Sequence, residues 1–364
     1  MKKYLIIFIV VLMFPLFSFA QCEKQDTVFR AVVQEIIMEK ETELADGAVV
    51  SQQDIKLKSL EEEFSGEEII FRGIDSYDVV KKTTYKEGDK VLVVASFNDQ
   101  GEVTYYVTDY IRDNSLILIF VIFVFVLLLV GRFKGLRAVL SLVLSFLVIV
   151  KYIIPQILSG ADPIIVTIIG SLAILLVVVY LTEGVNKKSH IASLSIFVSL
   201  VLTIILSVIF VSLAKLSGLG SEEISFLINL DGDNIDFKGL LLAGIIIGTL
   251  GVLDDVVISQ IATVEQLYET DKQQSQRTVY KKAYTVGVSH ISSMANTLFL
   301  AYAGASLPLL VLFVSGESAF AAFGDVLNNE AIATEVVRTL AGSIGLVLTV
   351  PISTFLAVIF LKER

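Results

Sequence analysis

Gly248-Thr249-Leu250-Gly251-Val252-Leu253-Asp254-Asp255-Val256-Val257-Ile258-Ser259-Gln260 sets two adjacent carboxylates into an otherwise apolar run with closely spaced glycines. At the centre of a bilayer an aspartate costs roughly 2.5–3.5 kcal/mol on insertion scales, so a chain that keeps a pair at depth has a use for it. At the end of a span a carboxylate reaches water far more cheaply, and both residues lie near one end of their apolar segment.

The composition around this stretch is that of a membrane protein: 55% hydrophobic residues, 18% charged and a mean hydropathy of +0.78 over 364 residues. The first twenty residues read as a signal peptide or N-terminal anchor, with Lys2 and Lys3 before an apolar core and Ser18-Phe19-Ala20 as a small-x-small cleavage site. Cys22 follows, but Gln21 stands where a lipoprotein signal wants a small residue, which argues against lipidation. A single cysteine permits no internal disulfide.

Residues 21–114 change character to short alternating runs broken by Gly, Asp and Asn, which predicts a small β-rich, OB-like domain. They hold 21 Asp and Glu against 11 Lys and Arg, a balance of −10 that equals the formal charge of the whole chain. Such an acidic surface excludes a nucleic-acid role and leaves a protein partner as the expected contact of this domain.

From residue 115 to 364 the pattern predicts an all-α polytopic bundle of seven or eight spans. Segments near 115–131, 135–154, 162–181, 190–214, 239–258, 285–304 and 338–361 are long enough to cross, while 306–323 reads as a re-entrant or interfacial piece, with a full eighth span as the alternative. Basic residues gather at Arg132, Lys134 and Arg137, at Lys187 and Lys188, and at Lys272, Arg277, Lys281 and Lys282. The positive-inside rule makes those loops and the C-terminus cytoplasmic, and residues 21–114 extracytoplasmic at a bacterial cell membrane.

Helical spacing groups the side chains into faces. Gly244, Gly248, Gly251, Asp255 and Ser259 form one stripe, with Asp254 about 100° away. The glycines read as a packing seam, as do Gly342 and Gly345 beside Thr349, Ser353 and the helix-interrupting Pro351. Ser195, Ser199, Thr203 and Ser207 give a further packing stripe. The segment 285–304 carries Ser289, His290, Ser292, Ser293, Asn296 and Thr297, and a relay between His290 and Asp255 is one reading of it, a structural histidine the other.

Enzymatic chemistry is not expected. Neighbouring aspartates on one helix do not make an intramembrane aspartyl dyad, no His-Glu-x-x-His or P-loop occurs, and one cysteine with two distant histidines offers no metal site. No cofactor is implied. The expected partners are membrane lipids, a proton or small cation, and a small solute, with Asp254, Asp255, Ser259, Ser289, His290, Asn296 and Thr297 as the candidate ion or proton site.

Three separated runs carry a family resemblance: Gly248 to Gln260 with Val264-Glu265, then Asn296-Thr297-Leu298 to Tyr302-Ala303-Gly304-Ala305, then Arg338 to Gly345 with Pro351-Ile352. Together they resemble the YibE/F family of bacterial multipass membrane proteins, which implies a polytopic membrane protein and no defined activity. The order of a glycine-rich acidic span, a polar span and a Gly/Ser/Pro span is also similar to that of resistance-nodulation-division permeases, an analogy at the level of fold. Two functions are therefore expected as alternatives, an ion-coupled transporter or a noncatalytic scaffold whose outer domain docks a partner.

Overall fold

The computed structural model describes residues 26–43, 49–61, 64, 69–74, 84–97, 103–220, 222–231, 235–315 and 323–362, so the expected signal segment and Cys22 lie outside the described residues. The described residues up to Val126 and those from Leu127 onward cluster into two separate units.

The first unit contains five strands, β1 (Asp26–Glu43), β2 (Val49–Ser59), β3 (Ile69–Arg72), β4 (Lys90–Phe97) and β5 (Val103–Tyr110). They form one antiparallel sheet in the order β3-β2-β1-β4-β5. Strict alternation buries one face: Phe29, Ala31 and Val33 of β1 lie with Ile55 and Leu57, Ile69 and Phe71, and Val91, Val93 and Ala95. Register shifts between Val33 and Glu35 and between Ile36 and Met38 bend the long β1. The sheet is thus a curled half-barrel, whose edge strands β3 and β5 approach one another without hydrogen-bonded pairing among the described residues. Buried Gln53 fastens the loop before β4, accepting from the Tyr85 amide at 2.7 Å and donating to the Tyr85 carbonyl at 3.3 Å.

Helices follow. α1 (Asp113–Val148) continues through a π-helical turn, Ile149–Ile153, into α2 (Ile154–Leu158). Then come α3 (Pro163–Thr182), α4 (Lys187–Leu213), α5 (Glu222–Asp231), α6 (Phe237–Thr270), α7 (Gln276–Ala305), α8 (Leu307–Val314), α9 (Phe323–Asn328) and α10 (Glu330–Leu361).

Among the described residues five helices are long and apolar enough to cross a membrane, 113–158, α3, α4, α6 and α10, against the seven segments expected. Two differences account for this. The first helix holds both 115–131 and 135–154, joined at Arg132, whose φ of 48° and ψ of −128° are non-helical. A Cβ on Gly135 would strike the Leu127 carbonyl, although eight residues of straight helix would separate the two by about 12 Å; the chain therefore doubles back at Arg132, and glycine is what lets the two sides meet. The second difference is α7, which covers 285–304 as a helix of 30 residues but is too polar to qualify. Within 306–323, the eight residues of α8 span only about 12 Å, far short of a ~30 Å hydrocarbon core.

Asp162 caps α3 by accepting from the amides of Ile164 and Ile165 at 2.8 and 3.1 Å, with Pro163 as the first helical residue. Asn186 caps α4 in the same way through the Ser189 amide at 3.0 Å. The α4 stripe is buried, and Ser195, Thr203 and Ser207 return their hydroxyls to their own helix at 2.7–2.8 Å. It packs tightly on α10: a Cβ on Gly345 would overlap Thr203.

Candidate functional site

Helix α6 is the hub, packed against α3, α4, α7 and α10. Its buried side is made by Leu242, Ile246, Thr249, Leu253, Val257, Gln260, Ile261 and Val264. At 100° per residue, the stripe of Gly244, Gly248, Gly251, Asp255 and Ser259 lies on the opposite side. Gly251 and Asp255 are exposed, and a Cβ at Gly251 would meet nothing within 4 Å. Only Gly248 of this group has a close neighbour, the Tyr302 hydroxyl of α7 at 2.7 Å from a Cβ position, while Gly244 has the Arg338 guanidinium at 3.9 Å. These residues share a face as expected; Gly244, Gly251 and Asp255 on it are exposed, while Gly248 is half-buried beside α7.

Asp254, one residue along, turns into a groove of ≈ 370 Å³ between α1, α3 and α6. Ala138, Ser141, Leu142 and Ser145 line it from α1, Ile174 and Val178 from α3, and Ile247, Leu250, Gly251 and Asp254 from α6. Asp254 Oδ1 and Ser145 Oγ are both buried without a hydrogen-bond partner, whereas Ser141 donates to the Ala138 carbonyl at 3.0 Å. A buried carboxylate oxygen without a donor is destabilising, and the chain spends that stability where three helices leave room for something else.

The other side of α6 is satisfied. Gln260 is 1% exposed, and its amide donates to the Ala283 carbonyl of α7 and to Thr354 Oγ1 of α10, both at 2.7 Å. One side chain thereby joins three helices. A Cβ on Gly287 would meet the Gln260 carbonyl oxygen at 2.9 Å, so glycine there makes room for the amide. Val256, Leu298, Leu346 and Val350 form the apolar seam beside it.

The expected polar face of α7 does not join Asp255. Val279, Ala283, Gly287 and Leu298 are the buried residues of α7, while Ser289, His290, Ser292, Ser293, Asn296 and Thr297 are exposed. Thr297 donates to the Ser293 carbonyl at 3.1 Å, within its own helix. Among the described residues no hydrogen bond or ion pair connects His290 with Asp255, so the relay is not assembled in this arrangement. Ser259 likewise bonds its own helix, at the Val256 carbonyl, 3.0 Å away. On α10, Gly342 sits 3.4 Å, measured from a Cβ position, from the Thr249 hydroxyl of α6, and Gly345 faces α4 rather than α6 or α7.

The structure adds residues that spacing did not single out. Ser141 and Ser145 are small residues in an apolar segment, and Gln260 is a lone amide six residues beyond Asp254. Arg338 pairs with Glu335 at 2.9 Å beside a second cavity of ≈ 580 Å³, and its Nε is buried without a partner. An arginine opening an apolar run was the available signal.

Five helices long and apolar enough to cross a membrane, among the described residues, are those of a membrane protein. The chain belongs to the YibE/F-like protein family, whose match covers residues 119–363 and so excludes the five strands. No curated protein and no solved structure matches it significantly.

Proposed function

We propose that the protein is a secondary transporter or permease-like protein of the bacterial cell membrane that binds a proton or small cation at Asp254, with residues 21–114 outside the membrane. The observation that carries this reading is the buried Asp254 Oδ1 with no donor in the groove between α1, α3 and α6, which Ser145, whose Oγ also has no partner, lines as well. A carboxylate in such a place exchanges its proton or counter-ion with whatever enters the groove, which is the elementary step of ion coupling. The role first read into Asp255 passes to Asp254, because Asp255 is exposed on the far face of α6.

Proton flux into liposomes holding the purified protein under an imposed pH gradient tests this. Asp254→Asn keeps the side-chain shape and is expected to reduce flux at least tenfold with the helices intact, while Asp255→Asn leaves it within about twofold. The opposite ranking would restore the Asp255 reading.

The scaffold reading draws on one different observation. Ser289, Ser292, Ser293, Asn296 and Thr297 present polar groups outward from α7, as a helix does when another protein covers it. Flux indistinguishable from empty liposomes in both the unaltered chain and Asp254→Asn, under every gradient applied, would favour that role.

A further inference from the structure

We propose that the groove beside Asp254 binds an amphipathic organic monocation, an ammonium or phosphonium centre carrying apolar groups, in place of the Asp254 proton. The proposal rests on the transport reading above and names its solute class.

The lining of the groove sets the chemistry. Among the described residues Asp254 is its one ionisable residue; Ser141 and Ser145 supply its only hydroxyls, and the remaining wall is Ala, Leu, Ile, Val and Gly. A dehydrated metal cation such as Ca²⁺ takes 6–8 oxygen ligands, and Mg²⁺ needs a near-octahedral set. The two oxygens of Asp254 and two hydroxyls, one of which already donates to the Ala138 carbonyl, fall short of that. An organic cation has the converse needs. Its charge is spread and weakly hydrated, one carboxylate neutralises it, and its hydrocarbon gains by leaving water at roughly 25 cal/mol per Å². A volume of ≈ 370 Å³ falls in the ~300–1,000 Å³ range of sites for small organic ligands. A neutral solute would leave the carboxylate without a counter-charge, and an anion would be repelled.

Proton and organic cation compete because both need the same oxygen. When the cation enters, the carboxylic acid O–H bond breaks heterolytically, the proton passes to water, and the carboxylate pairs with the entering charge, so the groove's total charge is unchanged. Among the described residues lining the groove, the facing helices add no second ionisable group: α1 presents Ser141 and Ser145, and α3 presents Ile174, Leu175, Val178 and Val179. Helices α4, α7 and α10 lie against other sides of α6, and the neighbouring carboxyl of Asp255 is exposed.

Binding of tetraphenylphosphonium to the purified full-length protein in detergent, measured by equilibrium dialysis from pH 5 to 9, tests the proposal. Saturable binding is expected, tightening about tenfold per pH unit while Asp254 is protonated and levelling off once it is ionised. Asp254→Asn should weaken binding more than tenfold and remove the pH dependence, Asp255→Asn should leave both within about twofold, and neutral triphenylphosphine oxide should not displace the cation. Equal binding by Asp254→Asn, or displacement by the neutral analogue, overturns the proposal. If Asp254→Asn does not fold, the unaltered protein decides by itself, since pH-independent binding also overturns it. Proton flux that depends on Asp254 in a protein that binds no tetraphenylphosphonium refutes the solute class and leaves the transport reading standing.

Discussion

On the side of α6 that meets α7 and α10, Gln260 is wholly buried and both hydrogens of its amide are used at 2.7 Å. On the side toward α1 and α3, Asp254 Oδ1 and Ser145 Oγ are buried and unused. Gln260 and Asp254 lie six positions apart on one helix, yet Gln260 uses both amide hydrogens while Asp254 Oδ1 has no partner. A satisfied polar group in a membrane core fixes helix register, because every alternative arrangement strands it. An unsatisfied one destabilises the protein. The contrast separates a seam that holds the bundle from a groove with unused polar atoms.

The comparison breaks most visibly at Gln260. Gln260→Ala removes two interhelical hydrogen bonds and leaves a side-chain-sized void between three helices, so it should lower stability by about 2–4 kcal/mol. Thermal unfolding of the purified protein, followed by helix signal, checks this. A loss below about 0.5 kcal/mol would mean that the seam is held elsewhere.

Gly345→Ala probes the same half of the molecule through sterics. The added methyl meets Thr203, which is fully buried and bonded to the Ser199 carbonyl at 2.8 Å, so it cannot swing clear. Overpacking of that kind costs about 1–3 kcal/mol. Retained stability would show that α4 and α10 can separate slightly at no cost.

Asp254→Leu sharpens the comparison from the other side, since it removes an oxygen that has no donor and adds apolar surface to an apolar groove. Stability should rise by about 1–2 kcal/mol while function is lost, the opposite of the result at Gln260. A fall in stability would show that Asp254 is held by partners after all, and would place it with the seam.

Much of this architecture is legible in the sequence, and the part that is not has one cause. Alternation marks β1, β3, β4 and β5, long apolar runs mark the spanning helices, and the basic cluster at Arg132, Lys134 and Arg137 marks the place where the chain turns. Helical period also says correctly which residues share a face. It does not say where a face points. In a soluble helix the polar side faces water and resolves the question; in a membrane both the lipid side and the interior are apolar. The buried row of Ile246, Leu250, Leu253, Val257 and Ile261 is as hydrophobic as any lipid-facing row, so Gly244 and Gly251 read as the interior although both are exposed, while Gly248 does meet α7. The polar row of α7 misleads in the same way. Ser141 and Ser145 stay invisible because their role depends on which helix lies opposite, a long-range fact with no local signature.

Gly251→Ala is the smallest expected effect and bears directly on that ambiguity. If the glycine stripe were an interhelical seam, a methyl group at 251 would force two backbones apart, as at Gly345, and stability would fall by about 1–3 kcal/mol. The structure places open space around the Cβ position, with nothing within 4 Å. The substitution then acts only through the helix's own preference, where alanine exceeds glycine by about 0.8–1.0 kcal/mol in exposed interiors. A change between zero and about +1 kcal/mol is expected, read from the unfolding midpoint beside Gly345→Ala under the same conditions. Equal losses at the two positions would turn α6 around, bringing Asp255 into the bundle and Asp254 out of its groove.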